Sequence, residues 1–224
     1  MKIGVLALQG DFKEHAQSLA GLCVEAPLIR FPEELARDKV DGLIIPGGES
    51  TAIARLTEDG GTPLFNAILQ RAQEGMPIYG TCMGSIFLAS EIEGSSQGRL
   101  ALMDLKVRRN AFGPQRRSFE SSIYIDDIEE PTRPFPAIFI RAPLFLSCGE
   151  NVKVLARLPE SEGFVMARQD NLLVSAFHPE ITCDPRVHKY FIKMVESYLR
   201  GRAKMPGDLP LNCEYSSGAG VGRF

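Results

Sequence analysis

Residues 76–84 read Met76-Pro77-Ile78-Tyr79-Gly80-Thr81-Cys82-Met83-Gly84, and this stretch decides the fold. A short apolar run leads into Gly-x-Cys-x-Gly, and a helical pattern follows over residues 85–89. A nucleophile flanked by glycines between a strand and a helix has the form of a nucleophile elbow, here with a thiol in place of the usual hydroxyl. The glycines allow the sharp turn that leaves the central side chain exposed at the strand tip. A helix N-terminus behind the sulfur favours the thiolate.

Working outward, apolar runs alternate with helical patterns through the first half. Residues 2–8 form a first strand. Residues 11–22 then place Phe12, Ala16, Leu19 and Ala20 at helical spacing, with Asp11 at the N-cap position. Strands are expected at 24–30 and 40–45, the latter ending in Pro46-Gly47-Gly48, and helices at 50–56 and 63–74. Strands separated by helices imply βαβ units and a parallel sheet with right-handed crossovers.

The second half is richer in strands, expected at 102–107, 118–125, 137–140, 152–158, 163–168 and 171–177. Asp170-Asn171 between the last two signals a hairpin. Residues 184–200 close the chain with an amphipathic helix striped by Val187, Phe191, Met194, Val195 and Tyr198. The expected fold is α/β: a three-layer sandwich with a mostly parallel central sheet and an antiparallel extension. Residues 1–200 form one domain, and 201–224, where Gly, Pro and Ser accumulate, read as a flexible tail.

A chain of 224 residues with 44% hydrophobic and 24% charged residues suits one globular domain. A net charge of −3 gives no global attraction to nucleic acid or to an anionic membrane. No apolar run approaches membrane-spanning length, and the chain opens on a strand rather than a signal peptide. Five cysteines, at 23, 82, 148, 183 and 213, are scattered and never form Cys-x-x-Cys. That spacing argues against a disulfide framework or a zinc site, and for a cytoplasmic thiol protein.

Sites in open α/β sheets lie beyond the carboxyl ends of the strands. Three segments fall there: residues 46–50, the Cys82 turn, and Phe177-His178-Pro179-Glu180. Taken alone, Cys82 reads equally well as a small buried residue at a helix start. His178 leaves a strand, and in an extended chain Glu180 would face the same side, able to orient the imidazole as the third member of a triad does. By itself that segment is an ordinary strand-exit turn; beside the elbow it becomes a base and its orienting acid. His15, one turn into the first helix, could lie near a site but reads first as a packed or exposed residue, and His188 reads as a helix-surface one. Backbone N–H groups at Gly48 and Met83 are candidate oxyanion donors, although the Gly47-Gly48 pair also suits a plain turn.

The same residues resemble a known family, the class I glutamine amidotransferases, flavodoxin-like in fold, and within them the glutaminase subunits of pyridoxal 5′-phosphate synthase. The resemblance rests on residues 4–10, 43–51, 80–82, 108–113, 118–120 and 139–143, and runs to about Arg200. It implies Cys82 as nucleophile with His178 and Glu180 completing a triad. It also implies L-glutamine contacts at Gly47, Gly48, Glu49, Arg109, Ile140 and Arg141. An α-carboxylate suits arginine and an α-ammonium suits Glu49. The implied chemistry is hydrolysis of glutamine to glutamate and ammonia, with no cofactor and no metal. The ammonia would pass to a (β/α)8-barrel synthase partner, in assemblies of twelve of each subunit, for vitamin B6 biosynthesis. Departures from the family pattern are Met83, where a small residue is usual, Pro114 with Arg116-Arg117, and the extension beyond residue 200. A glutaminase subunit serving another pathway, or a docking module without catalysis, stands as the alternative.

Overall fold

Strands β1 (Ile3–Leu6), β3 (Gly42–Ile45) and β4 (Ile78–Thr81) are buried at every position. That pattern belongs to a parallel sheet covered on both faces, where each strand is a continuous apolar run rather than an alternation. The structure, a computed structural model, describes residues 1–49, 62–113, 118–159 and 161–202. The helix expected over 50–56, the loop carrying Arg116 and Arg117, and residues 203–224 lie outside the described residues.

Seven strands form the central sheet in the order β10 (Lys153–Ala156), β11 (Met166–Gln169), β12 (Leu172–Ser175), β4, β3, β1, β2 (Leu28–Ile29). β12, β4, β3, β1 and β2 run parallel, whereas β10 and β11 add the antiparallel extension that the sequence predicts. Register sets the site: Ser175 lies beside Thr81, and Ile45 beside Gly80. The segments leaving β12, β4 and β3 therefore emerge side by side at one edge.

The sheet separates two helical layers. On one face of β4, Tyr79 meets Phe191 of α4 (Arg186–Arg202) and His15 of α1 (Phe12–Gly21). On the other, a Cβ on Gly80 would fall 2.6 Å from the Gly84 backbone of α3 (Met83–Leu88). A Phe65–Phe87 ring contact joins that helix to α2 (Pro63–Gln73). Thr62 caps α2 by accepting from the Phe65 N–H, ahead of Pro63 at the first helical position.

The remaining strands build two smaller sheets: β5 (Ala89–Ile92), β6 (Met103–Arg108) and β9 (Leu144–Cys148), and the hairpin β7 (Ser118–Ile123) with β8 (Phe135–Ile140). The sequence reading contained neither β5 nor β9, both short and irregular in register against β6. The strand expected over 24–30 shrinks to Leu28–Ile29, because Pro27 has no N–H to give. The last helix ends at Arg202, two residues past the expected domain boundary.

An aromatic column anchors the hairpin over the sheet. Phe119 stacks on Phe139 at 4.7 Å, Phe139 meets Phe177 at 5.8 Å, and Phe135 meets Phe177 at 5.6 Å. Phe135, Phe139 and Phe177 are fully buried, and each such ring contributes about 2 kcal/mol through burial. The column fixes the end of β8 above the exit of β12, where the His178 N–H donates to the Ile138 carbonyl at 2.8 Å.

Candidate active site

Cys82 occupies the turn between β4 and α3 with φ 47° and ψ −106°, a conformation that L-residues other than glycine rarely adopt. Two close approaches hold it there. A Cβ on Gly84 would sit 2.0 Å from the Ile45 carbonyl oxygen, so no other residue fits without moving the backbone. The Cys82 N–H donates to Ser175 O at 2.8 Å, tying the turn to the neighbouring strand. Such strain is characteristic of nucleophile elbows.

His178 arrives from the next strand. Tyr79 Oη donates to Ser175 Oγ at 2.8 Å, and Ser175 Oγ donates to the Phe177 carbonyl at 3.0 Å, which fastens the strand exit. The segment after it is a 3-10 turn over Pro179–Ile181, not the extended chain that the sequence suggests. Glu180 nevertheless reaches back, with Oε1 accepting from His178 Nδ1 at 2.7 Å. Glu180 is buried, and His178 is only 3% exposed.

Gly47, leaving β3, lies between Cys82 and the His178 ring. A Cβ built there would lie 2.5 Å from His178 Cε1 and 3.2 Å from Cys82 Cβ. The Gly47 N–H donates to Thr81 Oγ1 at 3.0 Å, which locks this turn to the elbow strand. The Cys82 thiol donates to the Ile140 carbonyl at 3.7 Å.

In front of these groups lies a cleft of about 770 Å³. It is lined by Cys82, His178 and Met83, together with Gly48, Glu49, Arg109, Ile140 and Arg141. Gly47 and Glu180 stand directly behind it, and Ser50 lies outside the described residues. Arg109 donates to Gln97 Oε1 at 2.6 Å from the cleft wall. Its neighbour Arg108, exposed, pairs with Glu93, and the half-buried Lys106 pairs with Glu91 at 2.6 Å, so both are engaged in ion pairs away from the cleft. Gln9 Nε2 donates to the Glu49 carbonyl and braces that loop from β1.

Sequence reasoning missed Asp11 and His188 and left His15 as a lesser possibility. Asp11 holds the N-cap position of α1 but makes no side-chain cap; its Oδ2 sits 3.2 Å from His178 Nδ1. His15, expected as a packed or exposed helix residue, is completely buried, with Nε2 3.3 Å from Glu180 Oε2. His188, expected on the helix surface, is buried 3.1 Å from His15. The available signal was spacing: Asp11 and His15 are four residues apart at the start of one helix and share its face.

The electrostatics follow from this packing. Burial alone would lower the His178 pKa, but hydrogen bonds to Asp11, Cys82 and Glu180 and the charge of Cys82 raise it to about 12. Burial raises the Glu180 pKa, against the hydrogen bond from His178. Among the described residues, the one cluster with metal-ligand atoms in mutual reach is Asp11, His178 and Glu180, within 4.8 Å. Those atoms converge on the Nδ1 proton of His178, which already serves both carboxylates. The other described cysteines, Cys23, Cys148 and Cys183, are free and stand apart from this cleft.

An acid-oriented imidazole beside a thiol on an elbow can carry nucleophilic acyl transfer. The chain is 53% identical over 196 residues to the pyridoxal 5′-phosphate synthase subunit PdxT of Carboxydothermus hydrogenoformans, covering 87% of this chain and 98% of that protein. It is 50% identical to the subunit of the same name from Desulforamulus reducens, covering 88% and 100%. A crystal structure of a glutamine amidotransferase superposes with a TM-score of 0.78 at 43% identity, over 88% of this chain and all of that one. Residues 5–197 match the model of the SNO glutamine amidotransferase family, and the chain belongs to that family.

Proposed function

We propose that this protein is the glutaminase subunit of a pyridoxal 5′-phosphate synthase and that it works through Cys82, His178 and Glu180. The carrying observation is the meeting of Cys82 and His178 across Gly47 at the floor of the cleft, with Glu180 on the far ring nitrogen. His178 takes the Cys82 thiol proton as the sulfur attacks the side-chain amide carbon of L-glutamine, and the carbonyl π electrons move to oxygen. The N–H groups of Gly48 and Met83 receive that oxyanion. The carbon–nitrogen bond then breaks as His178 gives its proton to the departing ammonia, leaving a thioester. Water, deprotonated by His178, cleaves the thioester to glutamate and restores the thiol. Glu180 holds the ring in the orientation that both proton transfers need. Glu49 suits the substrate ammonium, and Arg109 and Arg141 its carboxylate.

Ammonia made here becomes ammonium in neutral water and loses its nucleophilicity, so the acceptor chemistry belongs to a partner that collects it directly. The partner in this reading is the barrel synthase subunit, and docking to it switches on the glutaminase in a reducing cytoplasmic setting. No helix among the described residues is long and apolar enough to cross a membrane. The deciding assay measures glutamate release with and without the cognate synthase. Turnover should rise on adding synthase, and Cys82→Ala should abolish it while the protein stays folded. Glutamine hydrolysis that persists in Cys82→Ala would overturn the assignment.

A further inference from the structure

Behind the cleft, a string of buried groups continues past Glu180 to a second, smaller cavity, and the mechanism above uses none of it. Glu180 Oε1 is occupied by His178, but Oε2 is sealed from solvent without a conventional hydrogen bond. His15 Nε2 lies 3.3 Å from that oxygen, and both side chains are wholly buried. The same nitrogen is 3.1 Å from Thr81 Oγ1, the hydroxyl that accepts the Gly47 N–H. On its other side, His15 Nδ1 is 3.1 Å from His188 Nε2. His188 in turn lines a cavity of about 210 Å³ with Ser18, Pro179, Thr182 and Asp184.

These contacts select one tautomer. With the proton on Nε2, His15 donates toward Glu180 Oε2 and Thr81 Oγ1, and its Nδ1 accepts from the His188 Nε2–H. With the proton on Nδ1, a ring lone pair would face a buried carboxylate oxygen that has no other donor, and an unmatched buried charge is costly. Burial first, and then the closeness of His188 and His178, which a second proton on His15 would have to oppose, hold the His15 pKa well below its ordinary value, so the ring is neutral and a single proton must be placed.

We infer that His15 is a positioning residue: as the Nε2–H tautomer selected by His188, it orients Glu180 against His178 and, through Thr81, steadies the Gly47 turn. The inference rests on the Cys82–His178–Glu180 reading and deepens it. His15 touches no substrate, so its loss should appear in the turnover of bound glutamine rather than in its binding.

The test measures glutamine hydrolysis by the complex with the synthase for wild type, His15→Leu, His15→Gln and His15→Asn. The glutamine amide reaches the place of Nε2 and retains an N–H there; asparagine stops at the level of Nδ1. Expected results are a kcat about 10²-fold lower for His15→Leu with KM unchanged, and substantial recovery in His15→Gln but not in His15→Asn. Imidazole 15N shifts of the wild-type protein read the tautomer independently of turnover, and should show His15 protonated at Nε2. Should His15→Leu fail to fold, the Gln and Asn variants decide. A His15→Leu kcat within threefold of wild type, equal rates for Gln and Asn, or an Nδ1–H tautomer each overturns the inference and leaves the triad standing. A wild-type complex that hydrolyses no glutamine overturns the triad reading, and this inference with it.

Discussion

Replacing His188 with glutamine tests the buried histidine string through stability alone. His188 is 1% exposed, and burial lowers its pKa from 6.5 to about 4. In the unfolded chain the ring recovers its ordinary pKa, so below about pH 6.5 the unfolded state binds a proton that the folded state refuses. The sign follows: the neutral ring contributes no penalty above the unfolded pKa, and stability is lost as pH falls from 6.5 through 4. From these two values the loss is about 2 kcal/mol at pH 5 and approaches about 3 kcal/mol below pH 4. His188→Gln keeps an N–H for His15 Nδ1 but does not titrate. Urea unfolding of both proteins from pH 7.5 to 4.5, with groups common to both cancelling in the difference, isolates this contribution. The stability of wild type relative to the variant should decline by about 2 kcal/mol between pH 7.5 and 5. A difference that stays flat to about 0.5 kcal/mol, within the usual range for surface substitutions, would falsify the claim that His188 is buried neutral.

Two further substitutions probe the elbow and the imidazole. Gly84→Ala should destabilise the protein by about 3 kcal/mol, since its Cβ would meet the Ile45 carbonyl oxygen at 2.0 Å; a urea midpoint equal to wild type would show that the turn is not this tight. In a Cys82→Ala background, Asp11→Asn should lower the proton affinity of His178 about tenfold, because it removes a carboxylate 3.2 Å from Nδ1. An NMR titration of the imidazole measures this, and an unaltered curve would remove Asp11 from the site.

The parallel core of the fold was readable because β1, β3 and β4 are unbroken apolar runs separated by helical periods, and because Gly80-Thr81-Cys82-Met83-Gly84 allows one turn between strand and helix. The short strands were not readable. Ala89–Ile92 and Leu144–Cys148 take their pairing from β6, a neighbour that local pattern cannot supply. Pro27 likewise cut the second strand to two residues. Cys82 and His178 were legible as a pair, since each leaves a strand tip and neither segment is telling without the other; Glu180 was read beside His178 from an extended chain, where the structure has a 3-10 turn.

What the sequence determined by itself was the set of groups able to react and the strand tips that carry them. Which histidines join those groups was decided only by tertiary packing. His15 and His188 sit within helices whose periodicity says nothing of what lies opposite, yet α1 and α4 close on the same face of β4, burying the His15 ring against Glu180 and the two rings against each other. Side-chain periodicity along a helix reports a direction. Whether that direction meets solvent, an apolar neighbour or an unmatched carboxylate depends on residues far away in the chain, here 173 positions between His15 and His188.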